Sequence, residues 1–266
     1  MERAAEFLAL YAAVYAVSLA LYFGVGSLIL WINARHPERR IQKHRDGLGR
    51  ARIEILQSLK YLAAAALCLT GGVFFQMQGW TLIAPYELSV WSVLGMGLVS
   101  IFAYDTWLYW AHRALHLKAL YKHHLPHHRS VAPTVWSNDS ASVVEAFVMH
   151  SFFFLAPLVL PIPSLVLVGH RIWDHVNGQI GHSGFEYFAS SQTRYPSPMV
   201  CTTYHDQHHE HFNYNFANFF SFWDRVCGTL HPEYDQKVRE FERLGAQSGS
   251  PSGSPSGSPD SAKTEA

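Results

Sequence analysis

The chain has 266 residues, of which 49% are hydrophobic and only 15% charged, whereas an average soluble chain is about one quarter charged. Twenty basic residues balance twenty acidic ones, so no net positive field marks nucleic acid as a partner. Cys68, Cys201 and Cys227 form neither a CxxC pair nor a disulfide framework, and the remaining unusual feature is the count of 17 histidines.

Phe7 to Trp31 runs for 25 positions without a charge, long enough to cross a hydrocarbon core of about 30 Å. It is too long for a signal-peptide core and no small-residue cleavage site follows, so it is expected to remain as the first membrane span. Uncharged runs over Tyr61 to Trp80 and Leu88 to Tyr104 predict spans two and three. Ala146 to Gly169 is also uncharged, but Pro157, Pro161 and Pro163 interrupt it. Two half-helices that dip in and return are expected there rather than one straight crossing.

Seven Lys and Arg residues lie between Arg35 and Arg52, and none between Gln78 and Ala111. The first loop is therefore expected to face the cytoplasm, and span three to deliver His112 and the polar region beyond it to the same side. Arg171 to Leu244 reads as a compact cytosolic cap. The expected architecture is all-α and integral to a membrane: about three full spans, a proline-broken re-entrant hairpin, and a cap holding the histidines. Residues 1–246 form one unit. Residues 247–266 carry three Ser-Gly-Ser-Pro repeats and are expected to be a disordered tail.

Fourteen of the histidines fall between His112 and His211. His112 and His116 stand at i and i+4 on the helical continuation of span three, which puts both rings on one face. His124, His127 and His128 form an HxxHH set, and so do His205, His208 and His209. On a helix each set is expected to aim three nitrogens at one point. Pro126 opens an alternative, with the helix starting there and His124 supplied by a turn. Eight imidazoles exceed the coordination number of one ion, so the count points to two metals.

These residues resemble the membrane fatty acid hydroxylase superfamily, which includes sterol desaturases, C-4 methylsterol oxidases and fatty acid hydroxylases. The resemblance runs from about Asp105 to Glu233 through DTWLYWAHRALH, YKHHLPHH, GHSGFE and YHDQHHEHFNYNFANFFSFWDRVCGTLHPE. It implies a histidine-ligated di-iron centre on the cytosolic side of a helical membrane domain, with His182 as a ninth ligand. Some members carry a tenth histidine where this chain has Gly178; His175, two helical turns before His182, is the candidate replacement. Asn177 is a candidate to hold a water or a ring. Asp105 is a candidate to accept the second ring N–H of a ligand, with a plain membrane-boundary carboxylate as the alternative. Glu145 is either an acid behind the ligands or polar punctuation, with punctuation favoured, and the WDRxxGT run (Trp223, Asp224, Arg225, Gly228, Thr229) is read as packing and turn chemistry. His123, His150, His170 and His211 are read as structural or exposed.

The ligand types exclude thiolate zinc, and no HExxH is present to supply a protease base. Two redox-active ions held by nitrogen suit O2 chemistry. The expected function is hydroxylation or desaturation of a lipid C–H bond, of sterol or fatty acyl type, by an enzyme of the endoplasmic reticulum or the bacterial inner membrane. A zinc-dependent membrane hydrolase and a His-rich metal-binding or transport protein are the alternatives. The chain shows no GxGxxG fingerprint, iron-sulfur spacing or haem domain. Electrons from NAD(P)H are therefore expected through a separate cytochrome b5 or ferredoxin-type donor, docking near Arg113, Lys118, Lys122 and Arg129.

Overall fold

The computed structural model describes residues 1–248. In chain order the helices are α1 (Glu2–Asn33), α2 (Ala51–Met77), α3 (Val90–Leu115), α4 (Tyr121–His128), α5 (Val143–Val159), α6 (Ser164–Gly181), α7 (Thr202–His211), α8 (Phe222–Val226) and α9 (Tyr234–Ser248). No strand occurs among the described residues, only isolated bridges at Arg40–Phe185 and Met199–Phe220. The all-α expectation is met. Helix α9 runs two residues past the expected domain boundary, and the rest of the expected tail lies outside the described residues.

Two helical segments, Glu2–Asn33 and Leu48–Met77, are long and apolar enough to cross a membrane. The expected third span falls in α3. Val90 to Tyr104 forms the first part of that 26-residue helix, but Asp105 and its polar and aromatic neighbours dilute its hydropathy. Its exposed apolar residues Trp91, Leu94, Leu98 and Phe102 nonetheless recur at helical spacing along one face. Ser89 and Ser92 start the helix with a reciprocal capping box.

The fourth apolar run folds as two helices. Pro161 and Pro163 separate α5 from α6, because neither residue can donate the N–H that a continuing helix needs. Pro157 sits in the last turns of α5 and leaves the Phe153 carbonyl without its usual helical donor. A Cβ at Gly72 of α2 would overlap that carbonyl, so glycine lets the two helices approach closely along their length. The buried core joins Leu69 and Val73 of α2, Tyr104 and Leu108 of α3, Phe153 of α5 and Leu167 of α6. Helix α2 is therefore mostly enclosed, while α1 keeps Leu8, Val17, Leu28 and Trp31 exposed on the outside.

Candidate metal centre

Four elements deliver the histidines. His112 lies in the last turn of α3 and His116 caps it; α4 carries His124, His127 and His128; His182 caps α6; α7 carries His205, His208 and His209. The fold sorts all nine into two sets. His112, His116, His124, His128 and His208 form one, and His127, His182, His205 and His209 the other, with the ligand atoms of each set within 4.8 Å of one another.

This sorting corrects the expectation that each HxxHH run aims at one point. His124 and His128 join the first set, but His127 belongs to the second; His205 and His209 join the second set, but His208 belongs to the first. Helix geometry supplies the reason. Residues i and i+4 are about 40° apart around the axis, whereas neighbours are about 100° apart. His127 and His128 therefore face different partners, as do His208 and His209. Pro126 does not start the helix: it lies inside α4, and His124 is helical and buried.

Protonation follows from the outer ring nitrogens. His112 donates Nδ1–H to the Phe216 carbonyl (2.8 Å), His208 to that of Tyr214 (2.6 Å) and His182 to that of Gly178 (2.8 Å). A carbonyl only accepts, so in each of these rings Nε2 is left as an inward lone pair. Burial disfavours the charged form and lowers His112 and His182 to about 4 and His116 to about 3. Neutral rings thus turn their Nε2 atoms toward each other. The Nε2 pairs His112–His124, His116–His128 and His128–His208 stand 3.0, 3.1 and 3.1 Å apart. In the other set His182–His205, His205–His209 and His127–His182 stand at 2.9, 3.1 and 3.4 Å. A metal–imidazole bond of about 2.1 Å puts adjacent ligand nitrogens about 3.0 Å apart at right angles and about 3.4 Å apart at tetrahedral corners. The spacing fits one metal ion in each set.

The surrounding shell departs from the sequence reading at several residues. Glu145 is not punctuation: one carboxylate oxygen lies 2.9 Å from Nδ1 of His124, with both groups buried. Asp105 reaches no ligand ring. Its Oδ1 accepts the backbone N–H of Asn218, Phe219 and Phe220 at 3.3, 2.7 and 3.3 Å, and so anchors the loop that follows Phe216. His175 joins neither set; its Nδ1 lies 3.6 Å from Asp139 and its ring packs on Tyr22. Asn177 lines a neighbouring cavity instead of touching a ligand. Gly178 leaves room that Asn138 fills, since a Cβ there would overlap the Asn138 amide oxygen.

The WDRxxGT run does the packing and turn work expected of it. Asp224 is buried and accepts from Tyr204 Oη, from the N–H of Phe216 (3.0 Å) and Ala217 (2.9 Å), and from Thr229 Oγ1 (2.7 Å). It thereby fixes the strand of loop whose Tyr214 and Phe216 carbonyls orient His208 and His112. Gly228 takes a positive φ of 68°, which glycine adopts without steric cost. Gln42 escaped the sequence reading, and Arg45 was read only as a positive charge of the first loop. Gln42 and Arg45 of the first basic loop both grip Asp206, at 2.7 and 2.6 Å, and hold α7 between its ligands His205 and His208. The only signal was a carboxylate flanked by histidines opposite a cationic loop.

A family model described as fatty acid hydroxylase matches residues 97–229. The chain is 28% identical over 264 residues to the Delta(7)-sterol 5(6)-desaturase erg3B of Aspergillus fumigatus, covering 90% of this chain and 75% of that one. It is 33% identical over 145 residues to rat lathosterol oxidase, covering 53% of this chain and 48% of that enzyme. It is 30% identical over 148 residues to rat methylsterol monooxygenase 1, with 54% and 49% covered. The chain thus spans about half the length of the two rat enzymes. No solved structure matches it significantly.

Proposed function

The chain belongs to the fatty acid hydroxylase family, and from this we propose that it is a membrane-bound, O2-dependent di-iron oxidoreductase that hydroxylates or desaturates a lipid C–H bond. The relatives named as sterol desaturases and oxidases make a sterol-type lipid the first substrate class to test. Five histidines would hold one iron and four the other. Once bound, the irons supply the activation of O2 that an unactivated C–H bond requires.

The chain's own groups do the rest. The Phe216, Tyr214 and Gly178 carbonyls hold three rings in the tautomer that offers Nε2, and Glu145 sits against a fourth. Burial of the rings keeps bulk water from the reacting carbon. The histidines lie at the ends of α3 and α6 that are read as cytosolic, in line with the positive first loop. Two electrons per turnover then come from a separate carrier on that face, drawn by Lys118, Lys122 and Arg129, which are exposed.

The single observation that carries this reading is the convergence of nine neutral imidazoles into two sets at metal-ligand spacing. Lipid profiling of a host expressing the chain, beside one expressing His208→Ala, tests it. A lipid that changes only with the intact protein names both substrate and reaction. No change in any lipid, despite an iron-loaded protein and a supplied reductase, would contradict it.

A further inference from the structure

Two tryptophans mark the ends of an exposed apolar stripe on α3. Trp91 and Trp110 stand about 28 Å apart along the helix axis, close to the ~30 Å of a hydrocarbon core, and tryptophan is enriched at both of its borders. Leu94, Leu98 and Phe102 fill the exposed face between them. Arg113 follows Trp110 by one turn and sets its guanidinium 5.8 Å from that indole ring, as a cation at the border does. The border on the histidine side therefore falls near Trp110.

Part of the polar region beyond α6 does not stay outside that border. Phe220 stacks on Phe102 with ring centroids 4.8 Å apart, and Phe102 lies about 12 Å inward of Trp110 along α3. Met199 pairs with Phe220 through an isolated bridge. Trp223 donates its indole N–H to Thr106 at 3.0 Å, between Phe102 and Trp110. Around these contacts Tyr195, Met199, Phe222 and Val226 are 65, 50, 54 and 63% exposed. Neither Tyr195 to Tyr204 nor Phe212 to Trp223 contains a Lys, Arg, Asp or Glu. Arg225 borders this face, but Asp235 holds it at 2.7 and 3.0 Å and its guanidinium lies over Tyr195, so its charge is already paired.

The backbone at this face suits an apolar medium, where a free N–H finds no water. Asp105 accepts from the N–H of Asn218, Phe219 and Phe220. The Pro198 carbonyl accepts from the N–H and Oγ of Ser221 at 2.6 and 3.0 Å, and Pro196 and Pro198 have no N–H to satisfy. We propose that the face formed by Tyr195, Met199, Phe222 and Val226 is inserted in the leaflet on the histidine side, where it continues the lipid-facing side of α3 and is covered by acyl chains.

Two cavities adjoin the histidines. The first, of about 80 Å³, is walled in part by Asp139, Glu145 and Arg171, and the second, of about 320 Å³, in part by Phe188 and Met199. Met199 thus belongs both to the inserted face and to the second cavity, which brings that cavity to acyl chains rather than to water. The insertion itself goes beyond the oxidoreductase reading; only the use of the cavity for substrate rests on it.

Nitroxide labels at Met199, Phe222 and Val226, one at a time, test the insertion in the full-length chain in nanodiscs holding one copy each. Cys227→Ser is the background, since Cys68 and Cys201 are buried. Power saturation compares access by O2 with access by a water-soluble nickel chelate. The O2-to-nickel ratio is expected to match that of a label at Leu94 and to exceed that of one at Lys122. A ratio like that of Lys122 places the face in water, and shielding from both reagents places it against protein; either overturns the proposal. Phe222→Asp asks the same question without a label. On a face in water such a change is close to neutral, whereas among acyl chains it is expected to lower Tm in nanodiscs by about 5 °C or more. An unchanged Tm would overturn the insertion. Both measurements are read without iron or turnover, so their failure leaves the oxidoreductase reading untouched.

Discussion

The two histidine sets share α4 and α7 yet differ in number, the larger completed from α3 and the smaller from the end of α6. The five-histidine set is backed by aromatic rings: Phe216 packs on His112, His116 and His208, and Phe212 on His128. Two of its rings are fixed by carbonyls that Asp224 and Asp105 hold in place through the loop they share. The four-histidine set lacks a side chain at Gly178 and borders both cavities through His182 and His205. The difference lies in surroundings: both sets reach the first cavity, through His112 and His124 on one side and His127, His182 and His205 on the other, but only the four-histidine set reaches the second, through His182 and His205.

The comparison breaks most sharply by removing one ligand from each side. His209→Ala leaves three rings in its set and is expected to reduce iron from two per chain to about one. His116→Ala leaves four rings and should retain most of both. Elemental analysis of the purified variants decides between these outcomes, and equal losses would erase the distinction.

Removing the loop anchor comes next. Asp224→Ala leaves four donors without their buried acceptor and should cost about 3 kcal/mol of stability, read as a fall in Tm. Iron loss should follow in the five-histidine set before the other, because His112 and His208 lose their oriented carbonyls. A variant with unchanged Tm would show that the WDRxxGT run is not the support described.

The sets can also be made alike. Gly178→His alone places a ring where Asn138 stands, whereas Gly178→His with Asn138→Ala opens the space for a tenth histidine. The double variant should resist iron removal by a chelator about tenfold longer than the parent, and the single variant should not. The smallest effect is expected from Glu145→Gln, which keeps a polar atom near His124 but cannot ionise. It should lower stability by about 1 kcal/mol or less and leave two irons bound, as thermal melts with metal analysis would show.

Much of this centre was legible from spacing. The i, i+4 pairs His112/His116, His124/His128 and His205/His209 each fall within a single set, as helical periodicity requires. The partition was not legible, because sending His127 and His208 to opposite sets depends on how α4 and α7 cross in three dimensions. His182 came through resemblance, since a lone histidine at a helix end carries no periodic signal. Asp105 and Glu145 exchanged expectations for the same reason. A carboxylate seven residues before a ligand shares its helix face, yet the loop at 218–220 occupies that face; Glu145 reaches His124 only because α5 packs beside α4. The proline break at 160–163 was readable because proline's missing N–H acts locally. The continuation of the third apolar run into the helix that carries His112 was readable too, since the i, i+4 spacing of His112 and His116 extends the same helical period.

The central claim is that two metal ions, both iron, sit in one chain. Metal analysis of the full-length protein purified from cells grown in iron-replete medium tests it directly. The expected result is about two irons per chain, falling toward one in His209→Ala. One zinc per chain with no iron, or a single iron unaffected by His209→Ala, would contradict it.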